Sequence, residues 1–169
     1  MSNRWSLTGG ASFGKTKGDA LGGDLNNPNS AQYRYGSFGM DIPWSYRMSG
    51  VYELPYQFFV SGTYQYTNGA PETSTVSVSS TTVSLTQGTT TVWVAPRGNT
   101  RLPNLAQLDL SLRKTWRMSG RTFEPRIDFF NLTNQATITS RVTQFGPNYG
   151  RASAIQRGRL IKLGVSVEF

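Results

Sequence analysis

The chain has no cysteine and no histidine. The first absence excludes a disulfide framework and thiolate metal sites. The second removes the commonest general base, the Ser-His-Asp triad and most zinc sites. No run of about 18 apolar residues occurs, so no transmembrane helix is expected. Acidic residues are scarce, 9 against 17 basic ones, for a net charge of +8. A basic chain raises nucleic acid or anionic lipid as partners. There is also no apolar leader. Met1-Ser2-Asn3-Arg4-Trp5 runs straight into strand-like sequence, so the chain is expected either not to be exported or to be a piece of a longer precursor.

What is present is alternation. In residues 159–169 every second residue is apolar (Ile161, Leu163, Val165, Val167, Phe169), and Lys162, Gly164, Ser166 and Glu168 lie between them. Period two puts these sets on opposite faces of a strand. Five more segments do the same. Trp5, Leu7, Ala11 and Phe13 form one face of the first. Trp44, Tyr46, Met48, Tyr52 and Leu54 follow, then Phe58, Val60, Tyr64 and Tyr66. Ala106, Leu108, Leu110, Leu112 and Trp116 come next, then Phe123, Ile127 and Phe129. Each segment has roughly 9–12 residues, the length of a tilted strand that crosses a bilayer. Abundant Gly (18) and 12% aromatics also favour strands and turns. Hydrophobic residues are only 37%, as expected where half of each strand is polar.

The connections alternate in length. Pro55-Tyr56 and residues 117–120 are short; residues 14–41, 67–104 and 131–158 are long. Short turns at one end and long loops at the other are how outer-membrane barrels are built. On that topology Trp5, Tyr52, Phe58, Trp116, Phe123 and Phe169 fall at the short-turn ends. Phe13, Trp44, Tyr46, Tyr64, Tyr66 and Phe129 fall at the long-loop ends. Met48, Val60, Leu110, Ile127, Leu163 and Val165 lie between. Two aromatic belts around an aliphatic band predict a lipid-facing wall. The expected fold is therefore all-β: an antiparallel transmembrane β-barrel wall of about six long strands, a partial barrel, plus a loop hairpin. The hairpin lies in the Thr/Ser/Val-rich residues 72–94, with a turn at Gln87-Gly88. Pro125 cannot donate a ladder hydrogen bond, so a bulge or an unpaired position is expected inside the fifth strand.

The opposite face carries Arg47, Glu53, Asp109, Arg113, Glu124, Arg126, Asp128, Lys162 and Glu168. They are nearly balanced in sign and are expected to line a wet lumen as cross-strand ion pairs. Glu124 and Asp128 are read as structural charges rather than an acid–base pair, because no pocket or histidine accompanies them. Gly9-Gly10 and Gly22-Gly23 lack the Lys-Ser/Thr of a phosphate loop. Asn131-Leu132-Thr133 is a chance sequon. Arg97, Arg101, Arg141, Arg151 and Arg157 are scattered over loops while the aromatics share an uncharged face, so no nucleic-acid partner is expected. No enzyme activity, metal or cofactor is expected.

The stretches 46–55 (YRMSGVYELP), 62–71 (GTYQYTNGAP), 101–112 (RLPNLAQLDLSL), 124–134 (EPRIDFFNLTN) and 159–169 (RLIKLGVSVEF) occur in this order. Together they resemble the C-terminal part of TonB-dependent outer-membrane receptors, above all the group with an N-terminal carboxypeptidase-regulatory-like domain. The resemblance covers nearly all of residues 1–169. It implies a slice of a 22-stranded barrel plugged by an N-terminal domain that takes up a scarce ligand. The plug, the TonB box and about sixteen strands are not in this sequence. The implied partners are outer-membrane lipid, the rest of the receptor, the barrel-assembly machinery and, only through the plug, TonB. Phe169, with Val165 and Val167, matches the terminal aromatic strand read during barrel assembly. The alternative is a self-contained eight-stranded outer-membrane structural or adhesion protein in which the 72–94 hairpin supplies two strands.

Overall fold

The computed structural model describes residues 4–19, 27–30, 32–86 and 88–169. Met1 to Asn3, the Gly22-Gly23 pair and Gln87 lie outside the described residues. Among those described there is no α-helix. The strands are β1 (Trp5–Phe13), β2 (Lys17–Asp19), β3 (Tyr35–Ser37), β4 (Trp44–Leu54), β5 (Phe58–Thr67), β6 (Pro71–Glu72), β7 (Thr75–Ser79), β8 (Thr89–Trp93), β9 (Thr100–Arg101), β10 (Leu105–Lys114), β11 (Trp116–Met118), β12 (Arg121–Phe130), β13 (Ile138–Arg141), β14 (Ala152–Ile155) and β15 (Leu160–Glu168).

The long strands form one antiparallel meander, β1-β4-β5-β10-β12-β15, with β11 continuing β10 along β12. The sheet is open, and β1 and β15 each pair on one side only. Each of the six expected segments is a strand of this sheet. Registers such as Ala11↔Tyr46, Tyr46↔Tyr66, Tyr66↔Ala106, Leu110↔Phe129 and Ile127↔Leu163 put the alternating apolar residues on one common face. A strand of about 10 residues is roughly 33 Å long, and at a tilt of about 45° it rises roughly 23 Å.

The short connections are tight. Ser119 (φ 48°) and Gly120 (φ 77°) both take left-handed backbone between the paired Met118 and Arg121. That is the two-residue turn whose twist suits a hairpin, and glycine adopts its second position without steric penalty. The strands therefore run further into residues 117–120 than alternation indicated. The other connection is a single turn, Pro55–Gln57. Pro125 pairs with Val165 on the β15 side, but on the β10 side there is an unpaired position rather than a bulge. The β10–β12 ladder runs from Leu110↔Phe129 to Arg113↔Arg126, skips the next two pairs and resumes in the same register at Trp116↔Phe123. The missing N–H of Pro125 explains the gap. Thr115, buried there, donates its N–H to the Gln57 carbonyl (3.0 Å) and its hydroxyl to Glu124 (2.8 Å).

The turn expected at Gln87-Gly88 falls partly outside the described residues; the 72–94 hairpin forms as β7–β8, with Ser79↔Thr89 its last pair. It pairs with itself and with an isolated bridge, Thr75↔Gln144, and stays apart from the wall. It supplies no wall strands.

Among the described residues no hydrophobic side chain is buried. The chain exposes 11766 Å², where a compact monomer of 18.7 kDa would expose about 8,300 Å². A single sheet layer has nothing to cover its apolar face. In plain buffer the chain is therefore expected to form oligomers or aggregates. Sedimentation velocity checks this: a single monomer boundary with a cooperative melt would contradict it.

Candidate functional site

The site has three parts: an apolar face, a polar face and a layer of loops. The apolar face is uncovered. Leu163 is 76% exposed, Val165 and Trp5 61%, and Leu7 58%. At the long-loop end Trp44, Tyr46, Tyr64 and Tyr66 form one stacked cluster, with centroids 4.8 Å apart for Trp44–Tyr66 and 5.2 Å for Tyr46–Tyr66. Phe13, paired with Trp44, and Phe129 lie at the same end. At the short-turn end Trp116 and Phe123 stack at 5.8 Å. Trp5 pairs with Tyr52 there, Phe58 with Leu54 and Lys114, and Phe169 follows β15. The aliphatic residues Met48, Val60, Leu110, Ile127 and Leu163 lie between the two aromatic bands. Offset stacking of this kind adds about 0.5–1.5 kcal/mol per pair beyond burial. Gly50 and Gly62 pair in the middle of the face. A side chain at Gly62 would lie 2.9 Å from Leu110 Cδ2, so Leu110 fills that gap.

The polar face is a hydrogen-bonded network more than an array of ion pairs. Arg47 donates to Gln65 (3.0 Å), Gln65 to Gln107 (3.5 Å) and Gln107 to Asp109 (2.9 Å). Asp109 also accepts the Asn131 N–H (2.8 Å). Ser111 donates to Asp128 (2.6 Å), which pairs with Arg126 (3.1 Å) on its own strand. Arg113 reaches Glu124 (3.6 Å) diagonally, while Arg113 and Arg126 face each other directly. Lys162 lies opposite Asp128 in register. The structure thus brings Arg113, Glu124, Arg126 and Asp128 together. It leaves Arg47 and Asp109 with amide partners instead of opposite charges. Glu124 and Asp128 each have their own partners.

The loop layer was not visible in the sequence. Of the eight buried polar residues among those described, seven lie in the three long loops: Asn29, Ser37, Asp41, Glu72, Ser74, Asn131 and Gln156. Asp41 is wholly buried. It accepts the Thr16 N–H (2.7 Å) and forms an ion pair with Arg101 of the second loop. Arg101 also donates to the carbonyls of Asp41 (2.7 Å) and Gly69 (3.1 Å). Arg97 donates to the Gly18 and Arg34 carbonyls (2.7 and 2.8 Å), and its guanidinium lies 4.6 Å from the Phe38 ring centroid. Asn29 joins β8 by accepting the Trp93 N–H (2.7 Å) and donating to the Thr91 carbonyl (2.9 Å). The third loop joins through Arg141–Glu72 (3.7 Å) and Ser74–Tyr149 (2.9 Å). Arg97 and Arg101, of the second loop, thus tie it to the first, and Arg141 ties the third loop to β6.

Sequence reading also missed Lys114 and Arg121. Both belong to the apolar face by register, since Lys114 pairs with Phe58 and Arg121 with Met118. Strict parity from Leu112 through Trp116 would have found Lys114. Compared with protein-family models, curated proteins and solved structures, the chain matches none.

The Thr16 N–H, then Ser37 and Arg101, hold the Asp41 carboxyl below its ordinary value of 3.8 against the opposing effect of burial. A lowered folded pKa contributes stability that is complete above the unfolded value and is lost as pH falls through the folded one. Hydrogen exchange in the first two loops should therefore rise together below about pH 4. Asp41→Asn should show the open pattern already at neutral pH. Unchanged exchange in that variant would remove Asp41 as the tie between the loops.

Proposed function

We propose that the chain is a wall segment of an outer-membrane β-barrel, the C-terminal part of a TonB-dependent receptor that takes up an external ligand. The single observation that carries this reading is the uncovered apolar face with an aromatic band at each end. In water such a face of a folded monomer is a liability. In a bilayer its aliphatic middle meets hydrocarbon and its aromatic ends meet the two interfaces. The polar face then lines the lumen against the plug. The folded loop layer then lies outside the cell, and its residues set ligand choice. The open edges of β1 and β15 take up neighbouring strands of the same barrel. The separate position of β7–β8 argues for this reading over the eight-stranded alternative, which needs that hairpin in the wall.

Two experiments test the proposal. Fractionation of native cells with an antibody against the chain should place it in the outer membrane, in a heat-modifiable species much larger than 18.7 kDa. Recovery at that mass in the membrane would favour the small barrel, and recovery in the aqueous fraction would end the membrane reading. Substitution tests the face. In water Leu163, 76% exposed, would tolerate Arg within about 0.5 kcal/mol. Facing hydrocarbon, Leu163→Arg should destabilise the inserted barrel by roughly 2–4 kcal/mol. Ser166→Arg, beside Glu124 on the polar face, should have little effect. Urea titration of the folded barrel in bilayers compares them, and equal effects would mean the faces are misassigned.

A further inference from the structure

Within the described wall strands Lys114 and Arg121 are the only charged residues on the apolar face, and no acidic residue shares it. Both lie at the short-turn end, and both rest on aromatic rings. Lys114 Nζ is 4.0 Å from the Phe58 centroid and 5.5 Å from that of Trp116; Arg121 Cζ is 5.4 Å from that of Phe169. Neither takes part in an ion pair among the described residues. Lys114 donates one hydrogen bond, to the Tyr56 carbonyl (3.1 Å), and an ammonium has three donors. Lys114 lines a groove of about 340 Å³ with Phe58, Leu112, Trp116, Pro125, Ile127, Leu163 and Arg126, whose strand position belongs to the polar face. The groove exists because the short Pro125 ring sits between the longer Phe123 and Ile127 on the same face, where the β10–β12 ladder is interrupted.

We propose that this groove binds one phospholipid of net negative charge. An acyl chain lies along Pro125, and the headgroup phosphate accepts hydrogen bonds from the two remaining Lys114 donors. Charge complementarity selects the occupant. Two cations with no counter-charge on their face favour an anion, whereas a zwitterionic headgroup would bring a second cation beside Lys114. Trp116 and Phe58 hold the ammonium by cation–π attraction, which strengthens when water is excluded. Arg121 lies about 13 Å further along the strands, four residues at roughly 3.3 Å each. It is too far to share the phosphate, and it adds to the positive potential at that rim. The site rests on the membrane reading above, because only a bilayer supplies both chain and headgroup.

The experiment uses protein extracted from its native membrane in mild detergent and relipidated with phosphatidylglycerol or phosphatidylcholine. Native mass spectrometry then counts the lipids retained during stepwise delipidation. Wild type should retain one phosphatidylglycerol that Lys114→Gln loses, with a drop in apparent affinity of about tenfold or more, as for loss of a charged hydrogen-bond donor. Lys114→Arg should keep the lipid and shows that the fold tolerates change at this position. Lys162→Gln, on the opposite face, should change nothing. Equal retention by wild type and Lys114→Gln, or equal retention of phosphatidylcholine, would overturn the site. Displacement of the lipid by millimolar glycerol phosphate alone would mean that the site takes a soluble phosphate and not a lipid. Failure of the membrane reading shows separately, as recovery of the chain in the aqueous fraction before any lipid is added.

Discussion

The structure depends on one constraint: a strictly alternating chain folded into a single sheet layer. Period two sends most apolar side chains of six strands to one face, with Val51, Phe59, Leu105, Phe130 and Leu160 the exceptions on the other. A soluble β-protein would cover that face with a second sheet or with helices. Among the described residues nothing does so, and none of their hydrophobic side chains is buried. The usual order is inverted. Asp41, Glu72, Asn131 and Gln156 are inside, while Leu163, Val165 and Trp5 are outside. The aromatic bands at both ends of the face support the bilayer proposed above as its cover.

The loop layer follows from the same constraint. With the apolar residues committed to the wall, the loops pack through polar contacts. A buried carboxylate is costly unless it is fully paired, and Asp41 has the Thr16 N–H, Ser37 and Arg101 around it. Asn131 does similar work where the fifth strand ends. It accepts the Gln135 N–H (3.0 Å) and donates to the Gln135 and Arg157 carbonyls (2.9 and 2.8 Å), which closes the base of the third loop. A loop surface held by specific polar contacts can present a defined shape above the wall.

The sheet was legible in the sequence because its signal is local. Alternation over ten residues marks a strand, and the lengths of the connections order the strands. The Pro125 gap was foreseeable from one missing N–H, although the choice between a bulge and an unpaired position needed the register on both sides. The loop layer was not legible. Asp41 and Arg101 are 60 residues apart and Asn29 and Trp93 are 64 apart, and no periodicity connects such pairs. By register these charges share one face, and Arg113–Glu124 is a cross-strand ion pair of the kind expected. Arg47 and Asp109 meet amides, because Gln65 and Gln107 lie nearer in register than any opposite charge. Lys114 and Arg121 were overlooked because they stand where strand passes into turn.

The most direct measurement asks what touches the apolar face. The chain has four tryptophans, Trp5, Trp44, Trp93 and Trp116. Three lie on that face, and Trp93 lies in the loop hairpin. Single-tryptophan variants in bilayers containing brominated phospholipids report contact with lipid by fluorescence quenching. The lipid-facing account predicts strong quenching of Trp5, Trp44 and Trp116 and none of Trp93. Quenching of all four by aqueous iodide, with none by the brominated lipid, would contradict it.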